Sequence, residues 1–299
     1  MLDLIIIGAG VAGLTAAIYS ARAGLDFAVL EQDGFGGGQI SSAHTVDNYP
    51  GFMGKSGDEL ANAIREHAEA LGANIEFAAV KDIIKENNAI TVVSDDDLKI
   101  QAKSVIIATG SAPKKLCVSG EDALVGCGVS YCALCDGAFY KDKNVVVVGG
   151  GDTAVEDAIY LSDICKSVTL IHRRDTFRAP ETRVAALKSK SNVDIIFNET
   201  VKEIIGDDKV SGVLLSDDSE LACDGVFIAV GSEPELYFTK NLDLAFSGKY
   251  IVATEDCKTN SDGIFVAGDV RTKPLRQVVT AAADGANAAN SVIKYLSCK

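Results

Sequence analysis

Two copies of a strand, a glycine turn and a helix, placed in register with each other, limit what this chain can fold into more than any other feature. Residues Asp3 to Ile7 form an apolar, β-rich run that enters Gly8-Ala9-Gly10-Val11-Ala12-Gly13, and helical sequence follows through Ala23. A second strand spans Phe27 to Leu30 and ends at Glu31. The pattern returns with a strand at Asn144 to Val148, the turn Gly149-Gly150-Gly151-Asp152-Thr153-Ala154 and a helix over Val155 to Leu161. Ala154 stands where the third glycine stood, and the next strand, Ser167 to Ile171, ends at His172. Glu31 follows Gly8 by 23 residues, and His172 follows Gly149 by the same 23. Glycines suit such a turn because it is tight, the backbone must approach a pyrophosphate, and the helix must pack close to its strand. The first amides of the helix then face the phosphate.

Each copy continues alike. Short β-rich stretches, Ile90 to Val93 and Val210 to Leu215, lie beside the polar turns Asp95-Asp96-Asp97 and Asp217-Asp218. Each copy ends in an apolar strand and a glycine: Val105-Ile106-Ile107-Ala108-Thr109-Gly110 and Val226-Phe227-Ile228-Ala229-Val230-Gly231. Alternating strands and helices build a parallel sheet. The fold class is therefore α/β, with two Rossmann-like, doubly wound dinucleotide-binding domains. A further strand, Gly263 to Ala267, leads to Gly268-Asp269 and a small-residue helix from about Gln277 to Tyr295. No third glycine-rich turn needs this tail, so it completes the first domain and the second is inserted within it. The expected division is 1–112 with 245–299, and 113–244 between them.

The copies differ at the ribose position. Glu31 suits a free ribose hydroxyl pair and repels a 2′-phosphate, whereas His172-Arg173-Arg174 with Arg178 offers several donors to one. The second domain is thus expected to bind NADPH on Gly149, Gly151, Asp152, Thr153 and Ala154, with His172, Arg173, Arg174 and Arg178 at the phosphate. The first takes an unphosphorylated dinucleotide on Gly8, Gly10, Gly13 and Glu31. A nicotinamide site and a second dinucleotide site on one chain suggest a flavin that passes electrons onward.

With 42 acidic and 28 basic residues the net charge is −14, which disfavours nucleic acid and anionic lipid as partners. The opening apolar run, Leu4 to Ile7, is far shorter than a membrane span and lacks a basic flank, so a cytoplasmic protein is expected. In that compartment eight cysteines favour thiols or a catalytic or metal-binding pair over structural disulfides. Cys132-Ala133-Leu134-Cys135 is the one close pair. Its spacing closes a small disulfide ring and lets a thiolate become nucleophilic near neutrality, with Asp136 as an adjacent proton carrier. The rival is structural zinc, but there is no second such pair and Cys117 and Cys127 are widely spaced, so no metal is expected.

Taken together, this order of motifs resembles the low-molecular-weight thioredoxin reductases along essentially the whole chain. The similar stretches are Gly128 to Gly137, His172 to Ala179, and Gly268-Asp269 with Arg276-Gln277. The resemblance implies FAD and NADPH as cofactors, thioredoxin or a thioredoxin-like protein as acceptor, and a homodimer. It implies that Gly37-Gly38-Gln39 and Asn48-Tyr49-Pro50-Gly51 approach the flavin, so that Gln39, Asn48, Thr109, Gly110, Gly268, Asp269, Arg276 and Gln277 join the FAD site. It also implies that Cys135 is the thiol nearest the flavin, that Cys132 exchanges with the protein disulfide, and that Asp136 is the acid/base. Three residues depart from the family pattern: Val11 where proline is common, Ala283 where glycine is common, and Cys127 where a basic residue is frequent. Two relatives of the same fold compete, a ferredoxin-fed thioredoxin reductase and a flavin-dependent dithiol oxidase. Neither has use for Gly149 to Ala154 and Arg173-Arg174.

Overall fold

In the computed structural model, which describes residues 1–32, 36–43, 45–86 and 89–298, the chain begins with β1 (Leu2–Ile7), α1 (Val11–Arg22) and β2 (Phe27–Glu31). Then come α2 (Gly57–Ala70), β3 (Ile75–Phe77), β4 (Val80–Glu86), β5 (Ala89–Ser94) and β6 (Lys99–Ile107). They form one sheet in the order β3-β2-β1-β6-β5-β4. β1 lies parallel between β2 and β6, with Ile6 opposite both Val29 and Ile106, while β4 and β5 pair antiparallel at the far side. β1 is apolar without alternation because both of its faces are buried: Leu4 and Ile6 enter one core, Ile5 and Ile7 the other. The sequence expectation did not include α2. A capping box between Ser56 and Glu59 starts it, a local signal with no glycine signature around it.

The chain divides into two compact units, residues 1–112 with 233–299, and 113–232. Residues 233–244, grouped with the second domain on sequence, thus pack with the first unit, where Phe238, Leu242 and Leu244 fill the core on one face of its sheet.

The second unit holds β7 (Val129–Ser130), α3 (Ala133–Asp136), β8 (Asn144–Gly149), α4 (Asp152–Ser162), β9 (Ser167–His172), α5 (Glu181–Lys188) and β10 (Val193–Phe197). It continues through β11 (Val201–Gly206), β12 (Val210–Leu215), β13 (Glu220–Ala222) and β14 (Gly225–Ala229). Its parallel sheet runs β10-β9-β8-β14-β7, and β11-β12-β13 form a separate antiparallel sheet. Val145 and Val147 face α4, and Val146 and Val148 face the antiparallel strands.

After the second unit, β15 (Ile264–Val266) pairs parallel with the C-terminal half of β6, and α6 (Val278–Ser297) follows. Ala288, Ala289 and Val292 of α6 pack in one cluster with Leu14, Ala16 and Ala17 of α1. The two helices meet closely at Gly285, where a Cβ would lie 2.2 Å from the Ala12 carbonyl oxygen and 2.9 Å from Thr15 Cβ. Backbone cannot yield as a side chain can, so Gly285→Ala is expected to destabilise the protein by about 1–3 kcal/mol, measured as a lower midpoint in urea denaturation.

Candidate active site

In the first unit β1 lies parallel between β2 and β6, and in the second β8 lies parallel between β9 and β14, so the strand order reverses beside β1 and beside β8 and opens a crevice at their carboxyl ends. The glycine turns fill these crevices. Gly8 has φ +100°, and a Cβ on it would stand 2.6 Å from the Ala108 carbonyl oxygen. A Cβ on Gly13 would stand 1.8 Å from the Gly8 carbonyl oxygen. Gly10 is different: the nearest atom to its virtual Cβ is Gly38 Cα at 3.9 Å, which leaves room before the helix. No side chain caps α1, and its first turn holds no acid.

Two of the other residues expected at the first site adjoin this helix end. Gly37 bridges Gly10, and a Cβ on Gly268 would touch Ala12 Cβ at 2.9 Å. Gln39 Nε2 donates to the Ser111 carbonyl, next to Gly110, and Asn48 Nδ2 donates to Gln277 Oε1 at 3.0 Å. Arg276 stacks 3.9 Å over the Tyr250 ring and donates to the Asp269 carbonyl. Glu31 Oε2 accepts from the Ala9 amide at 2.5 Å, which ties the ribose-position acid to the turn. Asp269 Oδ1, Thr109 Oγ1 and Ser111 Oγ are buried and have no partner among the described residues. Burial raises the Asp269 carboxyl above its ordinary range, opposed by Lys273 and Arg276. Buried polar atoms need partners, so these three call for a polar ligand, and the hydroxyl-rich FAD fits them.

Sequence reasoning did not find the cluster behind this rim. Asp284 is buried and accepts from Arg271 Nη1 and Lys273 Nζ, both at 2.9 Å, and from the Gly268 amide at 3.0 Å. It holds the Gly268-Asp269 turn in place, and nothing in the local sequence marks it.

In the second unit a Cβ on Gly149 would meet the Ala229 carbonyl oxygen at 2.4 Å. One on Gly150 would sit 2.0 Å from the His172 ring, so the imidazole occupies the space that this glycine leaves. His172 is buried, contacts the Thr176 carbonyl through Nε2 at 3.1 Å and stacks on Phe177. Its pKa is lowered, first by burial and further by Arg178, Arg174 and Arg173. The structure thus places His172 beneath the turn and the three arginines outside it. Arg173, Arg174 and Arg178 are exposed, and no carboxylate among the described residues pairs with them. The Arg178 amide donates to the Gly150 carbonyl at 2.9 Å, and its guanidinium lies 3.8 Å from the virtual Cβ of Gly151. Asp152 opens α4 and pairs with Arg183; Thr153 follows exposed, and Ala154 is buried in the core beneath the helix.

Cys132 and Cys135 form a disulfide, with Cα atoms 5.3 Å apart. Cys132 caps α3 and accepts from the Cys135 amide at 3.2 Å through Sγ. Cys135 is exposed and Cys132 half-buried. Ser130 links strand to site: its Oγ donates to Asp136 Oδ2 at 2.6 Å and accepts from the Cys132 amide at 3.1 Å. Glu121, almost fully buried, accepts from the amides of Leu116 and Cys117 at 2.9 and 2.6 Å and from the Tyr131 hydroxyl at 2.8 Å. Burial and that bond push the Tyr131 hydroxyl pKa up. Neither Ser130 nor Glu121 stood out in the sequence, because only the fold brings residue 121 beneath residue 131. Among the described residues no three His, Cys, Asp or Glu side chains cluster to hold a metal, and no helix is long and apolar enough to cross a membrane.

The pyridine nucleotide-disulphide oxidoreductase family model matches residues 2–285. The thioredoxin reductase of Bacillus subtilis is 45% identical over 300 residues, covering 98% of this chain and 94% of that protein. The thioredoxin reductase of Listeria monocytogenes is 43% identical, covering 98% and 93%. The crystal structure of thioredoxin reductase from Streptococcus pyogenes superposes with a TM-score of 0.94 at 42% identity, covering 100% of this chain and 99% of that one.

The chain belongs to the low-molecular-weight thioredoxin reductases. Members of this family use FAD and NADPH, which accounts for two glycine turns on one chain. Membership gives the CxxC pair its role as a redox-active disulfide, and the hydrogen bonds of Ser130 and Glu121 hold the chain beside it. Glu121→Ala would leave the amides of Leu116, Cys117 and Val118 and the Tyr131 hydroxyl without their acceptor, and is expected to cost about 2–4 kcal/mol. Tyr131→Phe removes one bond and is expected to cost about 1 kcal/mol. Urea denaturation of the two variants measures both, and equal losses would mean that Glu121 does not hold the loop.

Proposed function

We propose that this chain reduces the disulfide of a thioredoxin or thioredoxin-like protein through Cys132 and Cys135, with the first unit holding FAD and the second NADPH. The observation that carries the reading is the pairing of a disulfide with two glycine turns of opposite ribose chemistry: Glu31 at one, and at the other three arginines that pair with no carboxylate among the described residues. When bound, NADPH and FAD supply the two electrons that open the Cys132–Cys135 bond. Gly8, Gly10, Gly13, Glu31, Gln39, Asn48, Thr109, Gly110, Gly268, Asp269, Arg276 and Gln277 would hold FAD. The backbone of Gly149, Gly151, Asp152, Thr153 and Ala154 would cradle NADPH, with Arg173, Arg174 and Arg178 on its 2′-phosphate and His172 shaping the turn.

The remaining chemistry belongs to the sulfurs. The Cys132 thiolate attacks one sulfur of the thioredoxin disulfide and forms a mixed disulfide, and the displaced thioredoxin sulfur takes a proton. The Cys135 thiolate then attacks Cys132 Sγ, restores the intramolecular disulfide and releases the second thioredoxin sulfur, which is also protonated. Asp136, oriented by Ser130, moves those protons. The protein is proposed to act as a homodimer, on its resemblance to a dimeric family, and in the cytoplasm. Six free cysteines, with Cys117, Cys127 and Cys298 exposed, suit a reducing compartment.

Two outcomes are expected. Cys132→Ser and Cys135→Ser should each abolish thioredoxin-dependent NADPH oxidation while NADPH still bleaches the yellow colour, because that step needs no thiol. Stopped-flow absorbance separates the steps, and wild-type thioredoxin turnover in either variant would show that another group carries the electrons. Arg173→Ala and Arg174→Ala should each lower the preference for NADPH over NADH roughly ten- to a hundredfold, since a charge-assisted bond contributes about 1.5–3 kcal/mol. Steady-state kcat/KM ratios for the two nucleotides are the measurement, and unchanged ratios would move the phosphate elsewhere.

A further inference from the structure

The two glycine turns differ in a way that the ribose position does not explain. The first turn of α1 holds no acid, as suits a helix end that receives a diphosphate. α4 begins with Asp152 and carries Glu156 one turn later. A carboxylate at a helix N-terminus favours the helix dipole, but it stands where an incoming diphosphate needs the same field and repels it. Both acids are taken up by one residue. Arg183, on α5, directs Nη1 to Asp152 Oδ1 and Nη2 to Glu156 Oε1, the second contact at 2.8 Å. The division of labour is sharp, because Arg173, Arg174 and Arg178 pair with no carboxylate among the described residues while Arg183 is occupied by two.

We propose that Arg183 is a positioning residue of the nucleotide site, which draws the Asp152 carboxylate aside and neutralises it so that the N-terminus of α4 accepts a diphosphate. The inference rests on the assignment of NADPH to this turn. It separates two kinds of arginine: Arg173, Arg174 and Arg178 recognise the 2′-phosphate, whereas Arg183 acts through Asp152 on the diphosphate that phosphorylated and unphosphorylated nucleotides share. Loss of Arg183 therefore weakens both classes alike and leaves their ratio unchanged.

The test is calorimetric binding of 2′-phospho-ADP-ribose and of ADP-ribose to the FAD-loaded enzyme, which needs no turnover. Arg183→Met is expected to raise both dissociation constants about three- to fivefold, a size set by partly exposed charges. Arg183→Lys should restore most of the loss. In an Asp152→Asn background the same Arg183→Met change should have less than a twofold effect, since the carboxylate it masks is gone. An unchanged dissociation constant in Arg183→Met overturns the proposal. So does a loss confined to 2′-phospho-ADP-ribose, which would make Arg183 a 2′-phosphate donor. An equal loss with and without Asp152 also overturns it, by showing direct contact with the diphosphate. Arg173→Ala serves as the control for the underlying assignment: if wild type binds the two ligands equally and Arg173→Ala changes neither, the NADPH site lies elsewhere and the role of Arg183 falls with it.

Discussion

The missing side chain at Gly13 sets the geometry of the first unit. A methyl group there would sit 1.8 Å from the Gly8 carbonyl oxygen, so α1 can press its first turn against the end of β1 only as glycine. That contact aims the helix axis into the crevice between β1 and β6. It also presents Ala12 to α6, where Gly285 repeats the same device from the other side. The second unit relaxes the rule. Ala154 occupies the third position there, and its methyl group packs 2.7 Å from the place a Cβ would take on Gly149. Gly149 keeps the demand that Gly8 meets in the first unit, and Gly150 adds one of its own, since its missing side chain leaves room for the His172 ring.

Electrostatics then distinguish two otherwise matching frames. The chain is acidic overall, at −14, yet three guanidiniums at the second turn stay clear of every described carboxylate. Unpaired arginines cost little at an exposed site and remain available to a phosphate. Burial and the same three charges keep His172 below its ordinary pKa, so near neutral pH the ring stays uncharged and acts by shape. In the first unit the pattern reverses: buried cations gather on Asp284 behind the rim, and Asp269 keeps a buried carboxylate oxygen with no partner among the described residues.

The sulfur chemistry is confined by burial. Cys165 is pushed up to about 11, and Cys223 and Cys257 to about 12, each chiefly because it sits in the core. A thiol held that high forms almost no thiolate near neutrality and takes no part in exchange. Cys132 and Cys135 lie instead at the start of a short helix, with Ser130 joining the Cys132 amide to the Asp136 carboxylate. Glu121 locks the adjoining Tyr131 from below, so the pair combines a rigid base with an exposed sulfur.

The sequence by itself determined the elements whose signals are local. The two glycine turns, the Glu31 and His172-Arg173-Arg174 positions after them and the CxxC pair depend on spacing along the chain, because tight turns, helix ends and small disulfide rings are closed by residues near one another. The α/β class and the return of the tail to the first sheet followed from the same repeats. Tertiary structure decided what depends on residues distant in sequence. It paired Glu121 with Tyr131, Asp284 with Arg271 and Lys273, and Arg183 with Asp152. It sent residues 233–244 to the first unit, where Phe238, Leu242 and Leu244 bury their apolar surface against the sheet. It also separated His172 from the arginines beside it: His172 ends its strand and packs under Gly150, whereas Arg173 and Arg174 lie past the strand end in an exposed bend.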